Sequence, residues 1–161
     1  LKGIKALFNN TTDLRSVIAK YMEEHDSMKK EIEKFQAEAV ERIKTRLVEH
    51  AEVINGVHII KAVLPIMPNV AKDLVFKIRE AMPTNLVCAI GSTANTKPLL
   101  SVMLSDDMVK DGGLNAGTII REAAKLIQGG GGGQPHYASA GGKNLDGINA
   151  AVDKVIELAT K

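Results

Sequence analysis

Between Thr12 and His50 the chain carries no glycine and no proline, and eight Lys or Arg and nine Asp or Glu fall within that span. With no chain breaker to bend it, the stretch predicts a single helix of about 35 residues, roughly 50 Å long at ~1.5 Å per residue. From Leu14 its apolar residues step by alternating fours and threes, through Ile18, Tyr21, Met28, Ile32, Phe35 and Ala39, with His25 filling the remaining slot. That is a heptad seam, narrower than the stripe of an ordinary core-facing helix. Beyond Ala39 the step becomes four and four, to Ile43 and Leu47, so the stripe drifts around the helix. Pairs such as Asp26–Lys30 and Glu38–Arg42 suit a solvated face. A lone helix cannot bury its own stripe, so the seam predicts a partner helix, from upstream sequence or from a second copy. The seam is therefore assigned to dimerisation. A polar residue such as His25 within it sets register at some cost in stability, and a pH-sensitive pairing is a further option.

At Asn55-Gly56 the pattern changes, and glycine, proline and β-branched residues return. Short apolar runs bounded by turn residues predict strands over 57–64, 86–91 and 99–105. A helix is predicted over 70–82, with Leu74, Ile78 and Ala81 inward. Asn115 is suited to cap a second helix over 116–128, closed by five glycines. Residues 137–142 read as an edge strand, and 145–160 as a last amphipathic helix capped by Asn144. The expected fold class is α/β. A coiled-coil-like helical arm, 1–52, precedes a globular domain, 53–161, with a mixed β-sheet flanked by helices.

The composition permits this. The chain has 161 residues, 45% apolar and 25% charged, with net charge +2, enough for one domain with a real core and too apolar for a disordered chain. No run approaches the ~18 consecutive apolar residues of a membrane span. The single cysteine, Cys88, suits a reducing compartment, so a soluble, cytoplasmic chain is expected. It begins at Leu1 rather than Met and shows no signal-peptide pattern, as expected of a fragment of a longer protein. With a pI near 8.6, any nucleic-acid role must rest on local patches.

The segment with most chemical content is Gly129, Gly130, Gly131, Gly132 and Gly133, then Gln-Pro-His-Tyr-Ala-Ser-Ala, then Gly141, Gly142 and Lys143. Composition alone leaves a flexible linker and a ligand-binding loop both open. Glycines let backbone N–H groups approach a phosphate and allow positive φ, and the second glycine pair with Lys143 precedes a predicted helix start, a place that favours an anion. A Walker loop is excluded because Tyr137 stands where its first glycine belongs and Asn144 where Ser or Thr is required. A dinucleotide fingerprint fails because Gln134 or Pro135 occupies the closing glycine position. Arg121, Lys125 and Gln128 recur at helical spacing on a polar face, which is either an ordinary solvated face or, with Lys143, a surface for a phosphate backbone. His136 and Tyr137 are candidates to stack on an exposed base, with packing of Tyr137 in a strand as the alternative. The other histidines (His25, His50, His58) and Cys88 show no zinc spacing, Cys88 reads as a small buried residue, and Asp106-Asp107 reads as a turn or helix cap. No catalytic, metal or cofactor site is expected.

The run from Ala116-Gly117 through Ala123-Ala124-Lys125, the five glycines, Gln134-Pro135, Ala138, Ala140 and Gly141-Gly142-Lys143 resembles the signature of the DHH-associated domain. With the long charged helix and Asn55-Gly56-Val57 before it, nearly the whole chain is similar to the C-terminal domain of the alanyl-tRNA synthetases. Gln134 departs from a family that often has a basic residue there. The resemblance implies a non-catalytic domain, part of an alanine–tRNA ligase, that binds the outer corner of tRNA(Ala) and forms a homodimer. It would assist aminoacylation and editing by ATP-using upstream domains. The same module accompanies DHH phosphoesterases, where it holds nucleic-acid substrate, and a purely dimerising module is a third reading. The tRNA-contacting residues expected are the seven glycines above with Lys143, Arg121 and Lys125.

Overall fold

The computed structural model describes residues 2–9 and 12–161, whose contacts form two compact units, 1–39 and 40–161. In the first, α1 (Lys2–Leu7) precedes α2 (Leu14–Glu49), which runs 36 residues unbroken, as its freedom from glycine and proline predicts. The Asp13 carboxylate accepts the Ser16 N–H at 3.1 Å and so satisfies a donor that the helix start leaves unpaired. Phe8 packs on Tyr21 with ring centroids 5.7 Å apart. The predicted seam lies open in the single chain: Ile18, Tyr21, Met28, Ile32 and Phe35 are 40–59% exposed, His25 is exposed, and Leu14 and Ala39 are half-buried.

The second unit begins inside α2. The drift of the stripe beyond Ala39 turns Val40, Ile43, Leu47 and Val48 into a core against which the sheet packs. The sheet has six strands in the order β1-β2-β3-β4-β6-β5. They are β1 (Glu52–Ile54), β2 (Val57–Leu64), β3 (Leu86–Ser92), β4 (Leu99–Leu104), β5 (Gly130–Gly133) and β6 (Tyr137–Gly141). Only β2 and β3 pair in parallel, joined through α3 (Pro68–Ala81). Pro68 opens α3, two residues before the predicted start, where its missing N–H costs nothing. The unpredicted β1 forms a hairpin with β2, and Asn55 and Gly56 turn it with φ of 52° and 80°. That dipeptide is a hairpin signal, not only a change of composition.

Two cores sandwich the sheet. On one face Leu74, Val75 and Ile78 of α3 meet Leu86, Cys88, Ile90 and Met103. On the other, α5 (Ala116–Ala123) and α6 (Ile148–Ala159) cover Val87, Ala89, Leu100, Val102, Ala138 and Ala140. Each fully buried Leu or Ile contributes about 1.5–3 kcal/mol of hydrophobic stabilisation. Cys88 is fully buried, as expected, and burial pushes its thiol pKa far up. Asp106 and Asp107 open a short helix, α4 (Asp106–Lys110); Asp106 pairs with Arg79, and Asp107 accepts the Asn85 N–H at 2.9 Å.

Several expectations need correction. Asn115 does cap α5, accepting the Thr118 N–H at 3.1 Å, but the helix tightens into a 3-10 turn over Ala124–Ile127. Gln128 then ends it at φ 52°. The glycine run is neither linker nor loop, since four of its residues are strand β5. Consequently β6, predicted at an edge, lies between β4 and β5. Residues 145–147 form a 3-10 turn before α6, and Asn144 makes no cap; its amide donates to the Leu126 carbonyl at 3.3 Å. Tyr137 packs on Phe76, ring centroids 5.0 Å apart, which is the packing alternative to base stacking.

Candidate nucleic-acid interface

The fold brings the two glycine groups together, because β5 lies antiparallel to β6 with Gly130 opposite Gly141, Gly131 opposite Ala140, Gly132 opposite Ser139 and Gly133 opposite Ala138. None of these glycines has positive φ; among the described glycines only Gly56 and Gly113 do. Left-handed freedom is therefore not why the run is glycine.

Close approach is the reason at alternate positions. A Cβ at Gly131 would stand 2.5 Å from the Ala140 Cα, one at Gly133 2.7 Å from the Ala138 Cα, and one at Gly129 2.5 Å from the Gly142 Cα. Carbon atoms in contact sit ~3.5–4.0 Å apart, so no side chain fits at these three. Gly142 is closed off in the same way by Ile127, with a Cβ falling 2.7 Å from its Cγ1. At Gly130, Gly132 and Gly141 a Cβ would meet nothing within 4 Å.

Three of the amides before the last helix are already engaged. The Gly142 N–H donates to the Pro98 carbonyl at 3.1 Å, and those of Lys143 and Asn144 to the Ile127 carbonyl at 2.8 and 2.9 Å. These bonds tie the end of β6 to the 3-10 turn, and these three amides are not free for a phosphate. Lys143 and Arg121 are exposed and make no ion pair among the described residues, whereas Lys125 is held 3.0 Å from the Glu122 carboxylate. Arg121 and Lys125 belong to α5 and the turn after it, on the sheet face that covers Ala138 and Ala140. They do not share the opposite face, to which Gly130, Gly132 and Gly141 belong. Among the described residues no group of three or more His, Cys, Asp or Glu stands close enough to hold a metal ion, and no helix is long and apolar enough to cross a membrane.

Sequence reasoning missed the serines of this region. Ser101 on β4 lies opposite Ser139 on β6, and its hydroxyl is fully buried without a partner. Strand alternation places both serines on one face, but the sequence does not show which strands are neighbours.

Residues 58–161 match the family model described as the DHHA1 domain. An alanine–tRNA ligase from Bacteroides fragilis is 51% identical over 99% of this chain, which spans 18% of that relative's length. The C-Ala domain of Aquifex aeolicus alanyl-tRNA synthetase superposes with a TM-score of 0.61 at 26% identity, covering 69% of this chain and 98% of that domain. Thermus thermophilus RecJ shares the fold at TM-score 0.57 and 19% identity, over 93% of this chain and 21% of RecJ.

Proposed function

This chain belongs to the DHHA1 domain family, in the C-Ala form found in alanyl-tRNA synthetase, and from that premise we propose that it binds tRNA and self-associates on behalf of such an enzyme. The observation that carries the reading is the relationship to alanine–tRNA ligase over 99% of the chain. In this reading residues 53–161 hold the outer corner of tRNA(Ala), so that upstream aminoacylation and editing sites act on the same molecule in the cytoplasm. Residues 1–52 join two copies. The unpaired cations Lys143 and Arg121 meet phosphates, and recognition follows RNA shape more than sequence.

Supporting the self-association half is the exposed seam from Ile18 to Phe35, a heptad row with no covering helix among the described residues. A purely dimerising module is the competing reading, favoured by the packing role of Gly129, Gly131 and Gly133.

Binding of a tRNA(Ala) transcript, against a DNA duplex, at two salt concentrations tests the proposal. The expected result is salt-sensitive binding that prefers tRNA. Lys143→Glu should leave the fold intact and make the slope of log affinity against log salt shallower by roughly 0.7–0.9 for each phosphate that the lysine neutralises. Absence of binding at low salt would overturn the RNA role. Sedimentation of the wild type and of Phe35→Glu should give dimer and monomer respectively, and a wild type that stays monomeric at high micromolar concentration would sink the seam assignment.

A further inference from the structure

The seam accounts for the exposed large apolar residues of α2 with one exception. Met22 is 64% exposed and belongs neither to the seam nor to the core. With Phe8, Ile18, Tyr21 and Met28 it lines an open apolar groove of about 450 Å³, so the apolar surface extends past the seam onto one flank.

In heptad terms Ile18, His25 and Ile32 take position a, and Leu14, Tyr21, Met28 and Phe35 take position d. Two rows flank them. Val17, Glu24, Glu31 and Glu38 each precede an a residue, at position g; Arg15, Met22, Lys29 and Gln36 each follow a d residue, at position e. The first row is acidic apart from Val17, and the second carries no acid. Because α2 is unbroken across all these positions, the rows run along opposite sides of one stripe. Their charges are largely unspent within the chain. Lys29 and Glu31 are exposed and make no ion pair among the described residues, and Glu24 reaches Lys20 only at 4.0 Å.

The orientation of a second helix decides which rows meet. Parallel helices bring each g residue against the e residue five positions on in the other helix, whereas antiparallel helices bring g against g and e against e. In the parallel arrangement Val17 meets the partner's Met22, Glu24 meets the partner's Lys29, and Glu31 meets the partner's Gln36. Apolar lies with apolar, acid with base, and acid with amide. A fully overlapped antiparallel pair sets Glu24 against the partner's Glu31, Met22 against the partner's Lys29, and Val17 against the partner's Glu38. Every one of these is a mismatch. His25 fixes the register, since in-register copies set it against the partner's His25, and a slip of one heptad sets it against isoleucine. Resting on the self-association reading above, we propose that Val17, Met22, Glu24 and Lys29 select a second copy of this chain as a parallel, in-register partner along α2. The partner's Val17 then covers Met22, and an ion pair between Glu24 and Lys29 forms on each side of the dimer.

Sedimentation equilibrium of the full chain tests this through the dimer Kd of the wild type, Glu24→Lys, Lys29→Glu and the double variant, with helix content compared by circular dichroism. Each single variant should dimerise about tenfold more weakly, because two ion pairs per dimer become like-charge contacts. The double variant should return to within about threefold of the wild type, as a reversed pair does when the two sites couple. An equimolar mixture of the single variants should associate more tightly than either alone. A Glu24→Lys variant that dimerises more tightly than the wild type would set residue 24 against the partner's Glu31, overturning the parallel orientation and leaving self-association standing. Wild-type affinity in both single variants would overturn the role of the flanking rows. Mild oxidation gives an independent reading, since Cys88 is fully buried. Phe35→Cys should crosslink to its own copy, and crosslinking only when it is mixed with Ile18→Cys would establish the antiparallel pair instead. A wild type that stays monomeric at high micromolar concentration removes the self-association reading, and this proposal with it.

Discussion

A methyl group added at Gly131 and the same methyl added at Gly132 should move stability in opposite directions, although the two residues are adjacent. At Gly131 the new carbon would stand 2.5 Å from the Ala140 Cα and 2.6 Å from its Cβ. That is about 1 Å inside ordinary carbon contact. Ala140 cannot withdraw, because it is buried beneath α5 and paired on its far side with Leu100. Strand β5 must therefore move outward. Overpacking of this kind costs about 1–3 kcal/mol, and each strand bond stretched beyond use adds about 1 kcal/mol. At Gly132 nothing lies within 4 Å and φ is not positive, so the methyl mainly restricts the unfolded chain. That should stabilise by about 0.4–1 kcal/mol. The two variants should thus differ by roughly 3 kcal/mol, or about 6–12 °C in Tm for a chain of this size. Urea unfolding followed by circular dichroism, with equal m-values required, measures the difference. Variants that agree within about 0.5 kcal/mol would refute the argument that β5 is glycine because β6 lies too close.

The remaining predictions concern the body of the domain. Cys88 should resist thiol reagents in the native state and react only at the rate of unfolding, because burial holds its pKa far above the usual thiol value; rapid labelling of folded protein would contradict this. Asn115→Ala should destabilise by about 1 kcal/mol in chemical denaturation while Asn115→Ser loses little, and equal loss in both would deny the cap. The Ser105 hydroxyl, then the Asn85 N–H, hold the Asp107 carboxyl below its ordinary range. Its contribution is full above the unfolded value of ~3.9 and disappears as pH falls through the lower folded value. The gap in Tm between wild type and Asp107→Asn should therefore close on acidification, and a gap that persists at pH 2 would show that the charge is irrelevant.

Local patterns specify much of this molecule. The absence of glycine and proline from Thr12 to His50, with apolar residues at helical spacing, accords with α2, and the bounds of β2 agree with the apolar run from Val57 to Leu64. The change of step after Ala39 marks where α2 stops presenting a seam and starts serving a core, which only the packing of Val40 and Leu47 makes evident. Asn115 is legible as a cap because its partner, Thr118, is three residues away. Asn144 misleads for the complementary reason, since its amide is engaged by Leu126, eighteen residues distant.

The glycine motif shows the same division. The order of residues establishes that a side-chain-free segment precedes Lys143, and its spacing carries the family resemblance. It does not reveal that Pro98 and Ile127 consume the amides expected to bind an anion, or that β6 forbids side chains at Gly131 and Gly133 while leaving Gly130 and Gly132 free. Helix and strand periods arise from contacts within a few residues and are written along the chain. Which amide is spent and which glycine faces open space depends on strand order and register. Those are set by contacts between residues far apart in sequence, and they exist only once the sheet has assembled.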